Sequence, residues 1–123
     1  MELPRILYVD DEVINLELLQ LTFRNDFKVV TAKSAREGLD KLAVDPDIRV
    51  VISDLKMPEM NGLDFIKVVK KQDPGKVCML LTGFMESDVM LEGFNKELIF
   101  RYLMKPWHKQ QLKETIMDAL QRS

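Results

Sequence analysis

The chain has 123 residues, enough for one domain with a real core. Apolar residues make up 46% and charged residues 31%, with a net charge of −2, so nothing draws the whole molecule to nucleic acid or to an anionic membrane surface. A single cysteine excludes an internal disulfide and fits a reducing cytoplasm; no apolar run is long enough to span a bilayer, and Met1-Glu2-Leu3-Pro4-Arg5 lacks the apolar stretch of a signal peptide.

The first apolar run, 6–9, predicts a strand and is followed by Asp10-Asp11-Glu12. Ile14, Leu18 and Leu21 then recur at helical spacing on one face. Run 27–31 predicts the second strand. Ser34-Ala35-Arg36-Glu37 has the form of a capping box, opening a helix with Ala35, Leu39 and Leu42 on one face. Run 50–53 predicts the third strand, which leads into Asp54. Asn61-Gly62 enters a third helix over 63–71, closed before Pro74-Gly75. Run 77–81 predicts the fourth strand and contains Cys78, whose apolar neighbours predict a buried, inert thiol; it ends in Thr82-Gly83. Residues 86–95 predict a fourth helix, weakened by Gly93. Run 99–104 predicts the fifth strand, ending in Lys105-Pro106. Leu112, Ile116 and Ala119 mark the last helix.

Five strands alternating with helices predict an α/β fold: a five-stranded parallel sheet with helices on both faces. Right-handed crossovers leave few topologies. The flavodoxin-like, doubly wound order 2-1-3-4-5 is the natural choice, although another doubly wound order would read much the same. No repeat, low-complexity tract or linker interrupts the pattern, so residues 1–123 are expected to form a single domain.

In open α/β sheets, ligands bind outside the carboxyl ends of the strands. There the pattern gathers three carboxylates (Asp10, Asp11, Asp54), the Thr82 hydroxyl and the Lys105 ammonium. Each has a bland explanation alone: a helix cap, a turn former, a solvated lysine. Together those explanations require five incidental residues at one edge of one sheet. Two carboxylates about 4 Å apart repel by roughly 4 kcal/mol at an effective dielectric of 20. The cluster should therefore take up protons or bind a cation. Hard oxygen donors without a His or Cys cluster suit magnesium and disfavour zinc. A carboxylate held at magnesium can attack phosphorus and form an aspartyl phosphate. The metal would neutralise one phosphoryl oxygen, Lys105 a second, and Thr82 would donate to a third.

The fragments Tyr8-Val9-Asp10-Asp11-Glu12, Ser53-Asp54-Leu55-Lys56-Met57-Pro58, Asn61-Gly62, Leu81-Thr82-Gly83 and Tyr102-Leu103-Met104-Lys105-Pro106-Trp107 are each weak alone. In this order and spacing the chain resembles the response-regulator receiver domains of two-component systems, the CheY-like family, from residue 6 to about 120. The resemblance implies that Asp54 is the phosphoacceptor, supplied by a sensor histidine kinase or a histidine phosphotransfer protein. It implies direct magnesium ligation by Asp11, Asp54 and the backbone carbonyl of Lys56, with Asp10 acting through a bound water and manganese as a substitute ion. Lys105 would hold a phosphoryl oxygen, and the Lys105–Pro106 bond would be cis. Thr82 and Tyr102 would form the switch, reshaping a surface over the fourth helix, the fifth strand and the last helix. An output domain, an effector protein or a phosphorylation-dependent second copy would read that surface, with no direct nucleic-acid or membrane contact. The stretch Phe100-Arg101-Tyr102 with Lys105-Pro106-Trp107 is similar to receivers attached to HD-GYP-type or other large outputs.

The Lys56 side chain borders the approach to Asp54, either assisting or impeding water or simply solvated, and Phe84 either shields the site or joins the core. Asn95-Lys96-Glu97-Leu98 stands where many receivers carry a Gly-Ala pair, which puts the placement of the fourth helix in question. His108 reads as a surface residue near the last helix, not a phosphodonor. The expected role is a signalling domain, not an enzyme beyond self-directed phosphoryl transfer. Three alternatives compete: a degenerate receiver that docks without phosphorylation, an aspartate-nucleophile phosphatase, and a flavodoxin-like FMN binder. The complete Asp10, Asp11, Asp54, Thr82 and Lys105 set opposes the first. Lys56, where a haloacid-dehalogenase-type phosphatase would carry its second Asp, opposes the second. The acidic loop after the first strand would repel a phosphate and opposes the third.

Overall fold

The computed structural model describes residues 2–83 and 98–122. Five strands, β1 (Arg5–Val9), β2 (Lys28–Ala32), β3 (Val50–Asp54), β4 (Val77–Thr82) and β5 (Arg101–Met104), form one parallel sheet in the order β2-β1-β3-β4-β5. The expected order is therefore the one observed. Four helices accompany them among the described residues: α1 (Val13–Phe23), α2 (Ala35–Val44), α3 (Gly62–Gln72) and α4 (Lys109–Arg122). The helix expected over 86–95, Phe84 and Asn95-Lys96-Glu97 lie outside the described residues.

Alternation along the strands divides the core into two layers. Leu7, Val9, Val51, Cys78 and Leu80 pack under α2 and α3. Ile6, Tyr8, Val50, Ile52, Met79 and Leu81 pack under α1 and α4, where Leu112, Ile116 and Ala119 are buried as expected. Cys78 is buried, and that burial pushes its thiol up to about 12, which makes it inert as predicted.

Local signals hold where the sequence carries them. Ser34 caps α2, its Oγ accepting the Glu37 amide at 3.1 Å. Asn61 caps α3, its Oδ1 accepting the Asp64 amide at 2.8 Å. The fifth strand is shorter than the 99–104 expected. The Phe100 amide still donates to the Cys78 carbonyl at 2.8 Å, but Ile99 turns into the core layer under α2 and α3 instead of extending the edge.

The larger difference concerns α1. Ile14, Leu18 and Leu21 share a face, but that face is turned to solvent, with 73%, 55% and 62% of each residue exposed. The core is met by Leu16, Leu19 and Phe23 on the opposite side. The helix carries apolar side chains on two opposite faces, with Asn15, Glu17, Gln20 and Thr22 between them, so spacing identified the helix but not the direction it faces. Ring contacts of Phe23 with Phe27 at 5.9 Å and with Trp107 at 5.7 Å fix α1 against the segment that follows β5. Among the described residues, no helix is long and apolar enough to cross a membrane.

Candidate functional site

The carboxyl ends of β1, β3, β4 and β5 meet as the alternating pattern requires. Asp11, Asp54, Lys56, Thr82 and Lys105 line a cleft of about 530 Å³, together with Glu12, Asn15, Leu55 and Gly83. Asp10 lies fully buried beneath it, while Asp11 is exposed at its rim. Carboxylate oxygens of Asp10, Asp11 and Asp54 lie within 4.8 Å of one another. The sequence placed these residues together, and they are together.

Lys105 bridges the two buried acids. Its Nζ lies 2.9 Å from Asp54 Oδ1 and 3.1 Å from Asp10 Oδ2. Burial pulls the ammonium pKa down, but Asp54 and Asp10 outweigh it and the pKa is raised, so Lys105 stays charged. The bond to Pro106 is cis, as expected.

Asp10 sits in a dense set of donors. Tyr8 Oη donates to its Oδ2 at 2.7 Å, Asn15 Nδ2 to the same oxygen at 3.1 Å, and the Glu12 amide to Oδ1 at 3.0 Å. Burial pushes the Asp10 carboxyl up, yet the Glu12 amide, Tyr8 and Lys105 overcome it and hold it below the ordinary carboxylate value. Asp54 is the reverse case. Burial raises its pKa, Lys105 opposes that, and the negative charges of Asp10 and Asp11 add to the rise. The same residue type thus has opposite shifts a few ångströms apart.

The backbone around Asp54 is held closely. The Gly62 amide donates to the Leu55 carbonyl at 2.8 Å, and a Cβ on Gly62 would collide with the Asp54 carbonyl oxygen. Glycine is required there by close approach.

Thr82 is buried, and its hydroxyl donates to Met104 Sδ at 3.6 Å. Tyr102 is half-buried against the α2/α3 core layer, and its hydroxyl finds no hydrogen-bond partner among the described residues. Tyr102 therefore stands behind the cleft and does not join the charged cluster. His108 is exposed just before α4 and its carbonyl accepts the Leu112 amide at 2.9 Å, in keeping with a surface role.

Sequence reasoning missed three side chains that contact this site. Tyr8 had a usable signal: a phenol inside an apolar strand, two residues before Asp10 and so on the same face of the sheet. Asn15 and Met104 offered none, because their contacts depend on how α1 and β5 lie against their neighbours.

The donor set fits a hard divalent cation: three carboxylates from two adjacent strands, with no thiol or imidazole among the grouped residues. The model of the response regulator receiver domain matches residues 6–117. The chain is 36% identical to the hydrogenase transcriptional regulatory protein HoxA of Bradyrhizobium diazoefficiens, over 94% of this chain but 24% of HoxA. It thus spans about a quarter of that regulator's length. It is 32% identical to a chemotaxis protein CheY homolog of Campylobacter jejuni, covering 94% of this chain and 92% of the homolog. A receiver-domain crystal structure from Clostridium thermocellum superposes with a TM-score of 0.91 at 35% identity, over 98% of this chain and 96% of that one. The chain belongs to the response regulator receiver domains, the phosphoryl-accepting signalling switches of two-component systems.

Proposed function

We propose that Asp54 is the phosphoacceptor and that residues 1–123 act as one receiver unit in the cytoplasm. The observation that carries this reading is the Lys105 bridge between Asp54 and Asp10 at the centre of a three-carboxylate cluster. A carboxylate oxygen of Asp54 bonds to phosphorus as the phosphorus–nitrogen bond of a donor phosphohistidine breaks. The leaving imidazole nitrogen keeps the electron pair and takes up a proton. Lys105 then pairs with a phosphoryl oxygen, and the Thr82 hydroxyl donates to another.

Receiver domains bind magnesium through an acidic pocket, and these residues fit that ion. Asp11, Asp54 and the Lys56 carbonyl would ligate it directly. Asp10 would act through a bound water, because its two oxygens already accept from Tyr8, Asn15, Glu12 and Lys105. Three of these donors crowd Oδ2, so direct ligation through that oxygen would displace one of them. When bound, magnesium, or manganese in its place, neutralises charge on the cluster and on the phosphoryl oxygens.

The donor is a sensor histidine kinase or a histidine phosphotransfer protein. Thr82 and Tyr102 form the switch, and an output domain, an effector or a second copy of the chain reads it. HoxA, four times longer than the match, is a transcriptional regulatory protein, which supports an attached output. Turnover of external substrates is not part of this role. Acetyl phosphate with magnesium tests the reading: one phosphoryl group should appear on Asp54, and Asp54→Asn should abolish it. Label that persists at another residue in Asp54→Asn would overturn it.

A further inference from the structure

We propose that Met104 is a positioning residue for Thr82, holding the threonine hydroxyl on its thioether in the unphosphorylated state and so setting how readily the switch engages. This rests on the role given to Thr82 above. Thr82 and Met104 are register partners on the adjacent parallel strands β4 and β5. The Thr82 hydroxyl donates to Met104 Sδ at 3.6 Å. A hydroxyl has one proton to give. While it points at sulfur it is not given to a phosphoryl oxygen, so the sulfur and the phosphoryl group compete for one donor.

The chemistry of the two acceptors fixes the direction of that competition. A thioether is a weak acceptor, while a phosphoryl oxygen is charged and forms a stronger, shorter hydrogen bond. The sulfur therefore keeps Thr82 parked without locking it, and the phosphoryl group takes the proton when it arrives. Burial sharpens the effect: Thr82 is almost fully buried, so water does not readily replace the lost partner. Met104 is about half exposed and contributes little core packing that would otherwise explain a long flexible side chain at this position. Met104 also shares its face of β5 with Tyr102, two residues earlier, whose register partner is Leu80.

Two substitutions of similar length separate this from a packing role. Met104→Leu keeps an apolar side chain and deletes the acceptor. Met104→Gln keeps the length and can offer a stronger carbonyl acceptor. The readout is the apparent affinity for beryllofluoride in magnesium, followed by the fluorescence of Trp107, beside the rate of labelling by acetyl phosphate. Freeing Thr82 raises the competent fraction, so Met104→Leu should bind beryllofluoride about two- to fivefold more tightly, and Met104→Gln more weakly by a similar factor. In a Thr82→Ala background both effects should vanish. Shifts of the same sign for Leu and Gln, or shifts that persist without the Thr82 hydroxyl, would overturn the proposal. So would label on wild-type Asp54 with no effect of either substitution. Wild-type protein that takes no label on Asp54 would instead overturn the phosphoacceptor reading itself, and this inference with it.

Discussion

Replacing Tyr8 by Phe isolates one hydrogen bond of the site. The ring stays, and only the hydroxyl that donates to Asp10 Oδ2 at 2.7 Å is lost. Both residues are fully buried, so water does not readily substitute for the missing donor. A hydrogen bond to a charged group contributes about 1.5–3 kcal/mol. Asp10 keeps the Glu12 amide, Asn15 and Lys105, so the loss should fall near the lower end, about 1.5 kcal/mol. For a domain of this size that lowers the melting temperature by about 5 °C. The pH dependence has a definite sign. Burial raises the Asp10 pKa, but the Glu12 amide, Tyr8 and Lys105 bring the folded value below the unfolded one. A carboxyl depressed on folding contributes stability above its unfolded value, which is lost as pH falls through the folded value. Tyr8→Phe removes part of that contribution, so its cost should be full at neutral pH and shrink as pH falls through the folded Asp10 value. Burial and Asp10 push the phenol itself far up, so Tyr8 remains protonated throughout. Urea unfolding of wild type and Tyr8→Phe at pH 7 and pH 3 measures both quantities. A loss under about 0.5 kcal/mol at pH 7, or a loss larger at pH 3 than at pH 7, would refute the reasoning.

Magnesium at a hundred times its dissociation constant should stabilise the wild type by about 2.7 kcal/mol, and Asp11→Asn should lose most of that gain in a thermal-shift titration. An undiminished shift in Asp11→Asn would remove Asp11 from the ligand set. Gly62→Ala drives a Cβ into the Asp54 carbonyl oxygen and should cost about 1–3 kcal/mol in urea unfolding, with weaker beryllofluoride binding; a neutral effect would show that the loop yields. Leu18 is exposed on α1 and lines a groove with Lys105, Pro106 and Trp107 beside the cleft. Leu18→Asp should leave folding stability within about 0.5 kcal/mol and acetyl phosphate labelling intact, while slowing transfer from a protein donor by about tenfold. Equal slowing with both donors would refute a docking role.

Much of the fold was legible because strands and helices announce themselves by different periods. The acidic residues were legible for a related reason: each follows the end of an apolar run, and topology carries strand ends to one edge. The direction of α1 was not legible. Ile14, Leu18 and Leu21 on one side and Leu16, Leu19 and Phe23 on the other are equally apolar, and only packing of Leu16, Leu19 and Phe23 against the sheet decides it. The carboxylates of Asp10 and Asp54 also looked alike in sequence. Their opposite pKa shifts come from donors that approach in space: Tyr8 from the preceding strand residues, Asn15 from α1, Lys105 from beyond β5. Burial alone would have raised both Asp10 and Asp54; the number of donors reaching each one separates them.

Alternation at the end of β5 joins the chemistry to the switch. Tyr102 lies against the core layer under α2 and α3, and Met104, two residues on, reaches Thr82 on that side. Leu103 lies in the other layer, and Lys105, two residues after it, reaches Asp10 and Asp54. Adjacent residues Met104 and Lys105 thus serve opposite faces of the sheet: one holds the proposed switch hydroxyl and the other the charged cluster. The Lys105 amide donates to the Thr82 carbonyl at 2.8 Å, so the same backbone also ties both to β4. On the proposed reading, a phosphoryl group on Asp54 would offer Lys105 new oxygens and offer Thr82 a stronger acceptor than sulfur. One pull acts on Lys105, just past the short edge strand β5, and the other would free Met104 at the end of that strand, which is bonded to the sheet on one side only. That strand is where the least structure must yield, and it carries Tyr102.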